Sequence, residues 1–283
     1  HAGPIQTCAF IAVLSGFRPI LTMSWGFDLM DDVHKNKWWE WVTHYTLKRS
    51  TFFTSDANVT RDKAVAYGMN PEKTVVFPWG VDLDHFAPTT DYRPSTTVSR
   101  PSSAVTLFCN RSWESRYGLD VLARAFVKVA QQNENVGLIL LNGGSQGAHI
   151  RQILQSGGLL DRVTFGGQVS QTDLPNWYHM ADAYISPSHV DGSSVSLMEA
   201  LACGLPCLVS EIPANKEWVV ENENGWLFRD GDANHLAEKI LSAISQRENL
   251  PQIGRASRRS AEMRADWKKN AEVLMNVYRS LGE

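Results

Sequence analysis

The sequence predicts an α/β protein of two doubly wound domains whose strand ends face a cleft. Three observations carry this. Short, near-continuous apolar runs alternate with stretches of helical periodicity along the chain, as expected for parallel strands covered on both faces by helices. A stretch rich in Pro, Ser and Thr, residues 89–103, interrupts the series with little apolar content and reads as a linker. Loops of Gly, Ser and Asn follow several strands, where open α/β sheets bind their ligands.

In chain order, residues 5–15 read as a buried helix ended by Gly16. Residues 19–23 form a short apolar strand, followed by Ser24-Trp25-Gly26-Phe27-Asp28. Residues 37–49 are helical, with Trp38, Trp41 or Val42, and Tyr45 on one face. Residues 51–55 are a strand. Asp56 and Asn58 are N-cap candidates for a helix that Gly68 stops. A strand at 74–77 leads into the turn Pro78-Trp79-Gly80. Beyond the linker, strands at 105–109, 136–141, 163–165, 183–186, 207–210 and 225–228 alternate with helices at 119–131, 150–155, 173–180, 196–202 and 236–244. The expected organisation is a partial first domain over 1–88, the linker 89–103, a second domain over 104–265 and a closing helix over 266–283.

Hydrophobic residues are 43% and charged residues 20% of the 283-residue chain, the balance of a globular protein with a sizeable core. A formal net charge of −3 argues against nucleic acid as a partner. Cys8, Cys109, Cys203 and Cys207 sit among apolar or small neighbours, and no second pair or His cluster completes a metal site. They read as buried free thiols of a reducing, cytoplasmic compartment. No run approaches the ~18 apolar residues of a membrane span, and no signal peptide is visible. The chain starts at His1, with neither Met nor a leading strand, and reads as a fragment, a processed product or a renumbered chain. Trp38, Trp39 and Trp41 read first as core, with a peripheral membrane contact at the inner face as the second reading. Oligomeric state is not legible.

The chemistry concentrates between His189 and Glu217. A strand ends at Ser186, a Gly/Ser loop follows, and a helix starts near Ser194 or Ser196. Unpaired backbone N–H groups and the positive end of the helix dipole make such a start a site for a diphosphate. Gly192 lets the backbone approach, and Ser193, Ser194 and Ser196 can cap the helix or donate to phosphate oxygens. Asp191 and Glu199, eight positions apart, are too far separated for a close carboxylate pair. They suit two hydroxyl-bearing parts of one ligand on either side of a diphosphate, or else an ordinary turn residue and an ordinary helix residue.

Asp191-x7-Glu199, continued by Ala-Leu-Ala-Cys-Gly-Leu-Pro206, resembles the Glu-x7-Glu motif of glycosyltransferase family 4, the retaining GT-B enzymes among the glycosyl transferases group 1. Thr54-Ser55 and the stretch from Lys73 to Phe86 resemble the end of that family's first domain. Phe165-Gly166-Gly167-Gln168-Val169 resembles its base-contacting loop, and Asn224-Gly225-Trp226-Leu227 its late glycine turn. The resemblance implies a GT-B fold of two Rossmann-like domains facing a cleft, the first incomplete. It implies transfer of a hexose from a nucleoside-diphosphate sugar to a sugar, lipid or small-molecule hydroxyl, with no metal and no cofactor beyond the donor itself. Asp191, which replaces the commoner Glu, would hold the donor sugar, and Glu199 the ribose. Gly167 and Val169 would line the base. Gly192, Ser193, Ser194, Val195, Ser196 and Leu197 would bind sugar and diphosphate. Arg111, and Arg116 in place of the family's Lys, would neutralise the departing diphosphate. Trp25 and Asp28 stand where the family often has His-Gly facing the acceptor. Two other readings remain open: a nucleotide-sugar-binding protein without full transferase activity, and a GT-B nucleotide-sugar epimerase.

Overall fold

The computed structural model describes residues 1–89 and 105–282. Apart from Thr89, the expected linker lies outside the described residues. A π-helical turn at Ile5–Ala9 continues into α1 (Phe10–Leu14). Then follow β1 (Leu21–Met23), α2 (Phe27–Met30), α3 (Lys37–Arg49), β2 (Phe52–Ser55), α4 (Asn58–Ala66) and β3 (Thr74–Val76). The three strands form one parallel sheet in the order β1-β2-β3.

The second series runs β4 (Val105–Cys109), α5 (Leu119–Gln132), β5 (Val136–Leu141), α6 (Gly147–Ser156), β6 (Val163–Gly167), α7 (Leu174–His179) and β7 (Ala183–Ser186). It continues with α8 (Val195–Ala202), β8 (Cys207–Ser210), α9 (Pro213–Lys216), β9 (Gly225–Phe228), α10 (Ala233–Ser245), α11 (Leu250–Arg264) and α12 (Trp267–Gly282). Its six strands are all parallel, in the order β6-β5-β4-β7-β8-β9.

Both faces of this sheet are buried, which is why its strands read as unbroken apolar runs. Alternation still decides where each side chain goes. Leu107 and Cys109 of β4 and Leu138 and Leu140 of β5 join the core beneath α5, α6 and α10. Phe108, Ile139 and Leu141 point the other way, into the core beneath α7 and α8. The first domain has a far smaller core around Ile5, Leu29, Leu47 and Phe53.

Several contacts join the domains. Val81 and Phe86, just past β3, are buried in the α7–α8 core of the second domain. At the entry to α12, Val81 N–H donates to Ala265 O at 2.8 Å and Trp267 N–H to Val81 O at 3.1 Å, and Trp267 stacks on Trp79. The start of α4 meets a carboxylate from the second domain: Glu217 accepts from Asn58 N–H (3.1 Å), Val59 N–H (2.9 Å) and Asn58 Nδ2 (2.8 Å).

Several expectations are corrected. The N-cap position of α4 is Ala57, not Asp56 or Asn58, and the cap is supplied by Glu217 from far along the chain. The helix at 5–15 is not buried throughout, since Ile11 is 67% and Leu14 55% exposed. Cys8 is exposed, whereas the other three cysteines are buried free thiols. Trp38 and Trp41 do not enter the core. They stack on each other at the surface, 61% and 47% exposed, with Phe10 against their edges. No helix among the described residues is long and apolar enough to cross a membrane.

Phe126 of α5 is fully buried in the larger core, whereas Met263 of α11 is 75% exposed. Phe126→Ala is therefore expected to cost about 3–5 kcal/mol by urea unfolding, and Met263→Ala no more than about 0.5 kcal/mol.

Candidate functional site

The strand order turns back between β4 and β7, and the crevice outside the carboxyl ends at such a switch point is where an open α/β sheet holds a ligand. A cleft of about 580 Å³ opens there. Its second-domain wall is made by residues that follow β4, among them Arg111 and Arg116, and by Asp191, Ser194, Val195 and Glu199, which follow β7. Its first-domain wall is Met23, Trp25, Phe27, Asp56 and Trp79.

Arg111 organises the centre. Its guanidinium faces Asp191 Oδ2 at 2.7 Å and donates to Ser194 Oγ (2.6 Å) and Ser196 Oγ (3.0 Å). The Tyr117 ring packs on it, 4.3 Å from ring centre to guanidinium carbon. Its Nε is buried without a partner. Burial opposes the charge of Arg111 most strongly, but Asp191 together with Tyr184, Tyr117 and Cys109 offsets this, and the guanidinium is held more firmly charged than usual. Burial pushes the Asp191 carboxyl up, and Arg111 pulls it back only in part. Ser194 occupies the N-cap position of α8 but makes no side-chain cap, because its hydroxyl serves Arg111. No side-chain cap therefore covers the first backbone N–H groups of α8, which starts at Val195 and Ser196 on the cleft wall, where an anion site would stand.

Glu199, one turn into α8, is 4% exposed. It accepts from Tyr178 Oη at 2.8 Å and Gln171 Nε2 at 3.3 Å. Burial raises its carboxyl, while Tyr178 and Gln171 act to lower it. Arg116 reaches across the cleft mouth, over the Phe27 ring and 3.9–4.0 Å from the carboxylates of Asp31 and Asp32.

The expected residues divide accordingly. Arg111, Arg116, Asp191, Ser193, Ser194, Val195, Ser196 and Glu199 come together on the cleft wall. Gly192 lies beneath it, pressed between Gly26 and Asp56. Leu197 is fully buried and is not on the cleft wall. Gly167 and Val169 are not on the cleft wall. Gly167 O accepts from Asn142 N–H at 2.6 Å and Val169 packs on the core, so their loop reaches Glu199 only through Gln171. Trp25 is at the mouth, 53% exposed, with its ring edge against Phe27. Asp28 is corrected: it is fully buried and turned away from the cleft. Its carboxylate accepts from Ser24 Oγ and from the backbone N–H of Ile5, Trp25 and Leu29, and so ties the first loop together.

Asp56, which the sequence offers as a helix cap, is on the cleft wall instead. It follows β2 at the cleft floor, with Oδ1 buried and unpartnered. Burial, and then the charge of Asp191, raise its carboxyl from 3.8 to about 7. The available signal was an acidic residue at a strand's carboxyl end, and the helix that follows drew it into a capping role instead.

The family model "Glycosyl transferases group 1" matches residues 98–274. D-inositol 3-phosphate glycosyltransferase 2 of Catenulispora acidiphila is 28% identical over 222 residues, which is 75% of this chain and 52% of that protein. A GDP-mannose-dependent alpha-(1-6)-phosphatidylinositol monomannoside mannosyltransferase of Mycobacterium tuberculosis is 25% identical over 210 residues, 71% of this chain and 54% of its own length. The chain thus spans about half the length of these curated relatives. Among solved structures, Anabaena Alr3699/HepE in complex with UDP superposes with a TM-score of 0.84 at 19% identity, covering 98% of this chain and 77% of that one. That last likeness is one of fold.

The raised Asp56 carboxyl makes a pH prediction. The unfolded chain gives up this proton near 3.8 and the folded protein near 7, so the group costs progressively more stability as pH climbs through that window and is level above it. Asp56→Asn removes the cost. Its melting temperature relative to the unsubstituted protein is expected to rise between about pH 5 and about pH 8 by differential scanning calorimetry. A difference that stays constant over this range contradicts the assignment.

Proposed function

The chain has the GT-B fold and belongs to the glycosyl transferases group 1 family, and from that premise we propose that it binds a nucleoside-diphosphate sugar in the cleft and transfers the hexose, with retention of configuration, to a hydroxyl acceptor. The observation that carries this is the open start of α8 with Arg111 docked on its serines, flanked by carboxylates at Asp191 and Glu199. A diphosphate fits the middle of that array, a sugar its Asp191 end and a ribose its Glu199 end. The UDP bound by the Anabaena neighbour supports a nucleotide ligand, and the mycobacterial relative's name specifies GDP-mannose. The donor base is therefore a quantity to measure.

In the proposed reaction, the acceptor hydroxyl attacks the anomeric carbon from the face by which the nucleoside diphosphate departs. The new C–O bond forms as the bond to the leaving phosphate oxygen breaks, and that oxygen takes the hydroxyl proton. Negative charge grows on the diphosphate, so help is worth most there. The start of α8, Arg111 and Arg116 supply it in a largely buried setting. Glu199 holds the nucleotide but takes no part in bond making. Because fixed cations and helix amides meet the charge, we propose that transfer needs no divalent ion.

Arg111→Ala removes the countercharge of Asp191 as well as a diphosphate contact, so kcat/KM for donor consumption is expected to fall about 100- to 1000-fold. Glu199→Gln should act mainly on donor KM, by about tenfold. Coupled release of nucleoside diphosphate checks both, and should persist in excess EDTA. NMR of the product's anomeric proton checks retention. Unchanged turnover in Arg111→Ala removes Arg111 from the mechanism.

A further inference from the structure

We propose that Asp56, a first-domain residue, contacts the transferred sugar, which is thereby gripped between Asp56 and Asp191 from opposite domains. The inference rests on the donor-binding reading above and adds to it a residue from the other half of the molecule.

The geometry begins with two glycines. Gly26, at φ +83°, and Gly192 meet backbone to backbone, and a Cβ on Gly26 would overlap the Gly192 amide. A Cβ on Gly192 would in turn overlap the Asp56 carboxylate. The donor loop therefore lies flush against Asp56. Ser193 locks this arrangement: its Oγ donates to Asp56 O at 2.5 Å and accepts from Trp218 Nε1 at 2.9 Å. The backbone N–H groups of Asp56 and Ser193 also point at the Asp56 carboxylate. Its orientation is fixed by the second domain although β2 carries it.

One oxygen remains. Asp56 lines the cleft, and its Oδ1 is buried beside Gly192 with no hydrogen-bond partner. Asp191 Oδ2 is likewise buried, close to Arg111 but without a well-aligned hydrogen bond. A buried carboxylate oxygen left without a donor is costly, so this corner of the cleft calls for a ligand that brings hydroxyl donors. A diphosphate does not meet that need, because two carboxylates repel it, and its charge is matched by Arg111, Arg116 and the start of α8. A neutral sugar does. Met23 and Trp25 stand on the same wall and offer an apolar surface to the sugar's C–H face. The nucleotide can be held by the second domain alone, whereas the sugar's site is completed by Asp56 of the first.

The test separates sugar from nucleotide. The whole chain is titrated calorimetrically with UDP against UDP-glucose, GDP against GDP-mannose and ADP against ADP-glucose, at about pH 8 so that Asp56 carries its charge. With the pair that binds, Asp56→Asn is expected to leave the nucleoside diphosphate Kd within about twofold and to weaken the nucleotide sugar about tenfold or more. A panel of monodeoxy donors supplies the second measurement. One analogue should bind the unsubstituted protein about tenfold more weakly than the parent sugar does, and bind Asp56→Asn no more weakly than the parent does. Equal weakening of nucleotide and nucleotide sugar makes Asp56 a clamp on the donor loop and overturns the proposal, as does no change in either. Additive losses across the whole deoxy panel overturn it too. If no nucleoside diphosphate binds the unsubstituted protein, the donor-binding reading itself fails and takes this inference with it.

Discussion

The ion pair between Arg111 and Asp191, 2.7 Å long and largely buried, is the interaction on which the cleft depends. Burying two charges costs several kcal/mol per ion before their attraction and hydrogen bonds offset it. Here Ser194 and Ser196 accept from the guanidinium and the Tyr117 ring covers it. Tyr184 extends the network by donating to Ser196 Oγ at 2.9 Å. The same contacts take the Ser194 hydroxyl away from capping α8. The pair therefore fixes the donor loop and at the same time leaves the helix start available. A second acid, Asp56, stands beside it; the charge of Asp191 adds to burial in raising the Asp56 carboxyl, while Arg111, Gly192 and Ser194 act to keep Asp191 ionised.

Topology explains why these groups meet. The reversal of strand order between β4 and β7 opens a crevice into which the loop carrying Arg111 and the loop carrying Asp191 both emerge. The first domain closes over it through contacts that use backbone more than side chain: Gly26 on Gly192, Ser193 on the Asp56 carbonyl, and Glu217 on the amides of Asn58 and Val59. Such contacts are specific but small. The Trp79–Trp267 stack and the passage of Val81 and Phe86 into the other core add apolar contact between the halves.

Much of this was legible in the sequence, because it is local. The strands of the second domain declare themselves by unbroken apolar runs, and Asp191, the serines and Glu199 sit on one loop and one helix whose spacing can be counted. Arg111 was legible through resemblance, although its pairing with Asp191 was not. What escaped depends on long-range closure. Asp56 looks like a helix cap until Glu217, remote in sequence, is seen to supply that cap. Asp28 looks like a cleft residue until the backbone of Ile5 and Leu29 is seen to wrap around it. Gly167 ends β6 and Val169 follows it, but neither is on the cleft wall, and it is Gln171 that reaches Glu199 instead. Trp38 and Trp41 satisfy a helical apolar face that the fold leaves at the surface.

The start of α8 is the proposed diphosphate site. Amide hydrogen exchange of the whole chain, with and without saturating nucleoside diphosphate, tests it most directly. New protection is expected at Val195 and Ser196 and in the loop holding Arg111, with little change in a second groove, lined by Arg124 and Lys128 of α5 and His149 and Gln152 of α6. Protection confined to that groove, or none at the start of α8 under conditions where calorimetry reports binding, contradicts it.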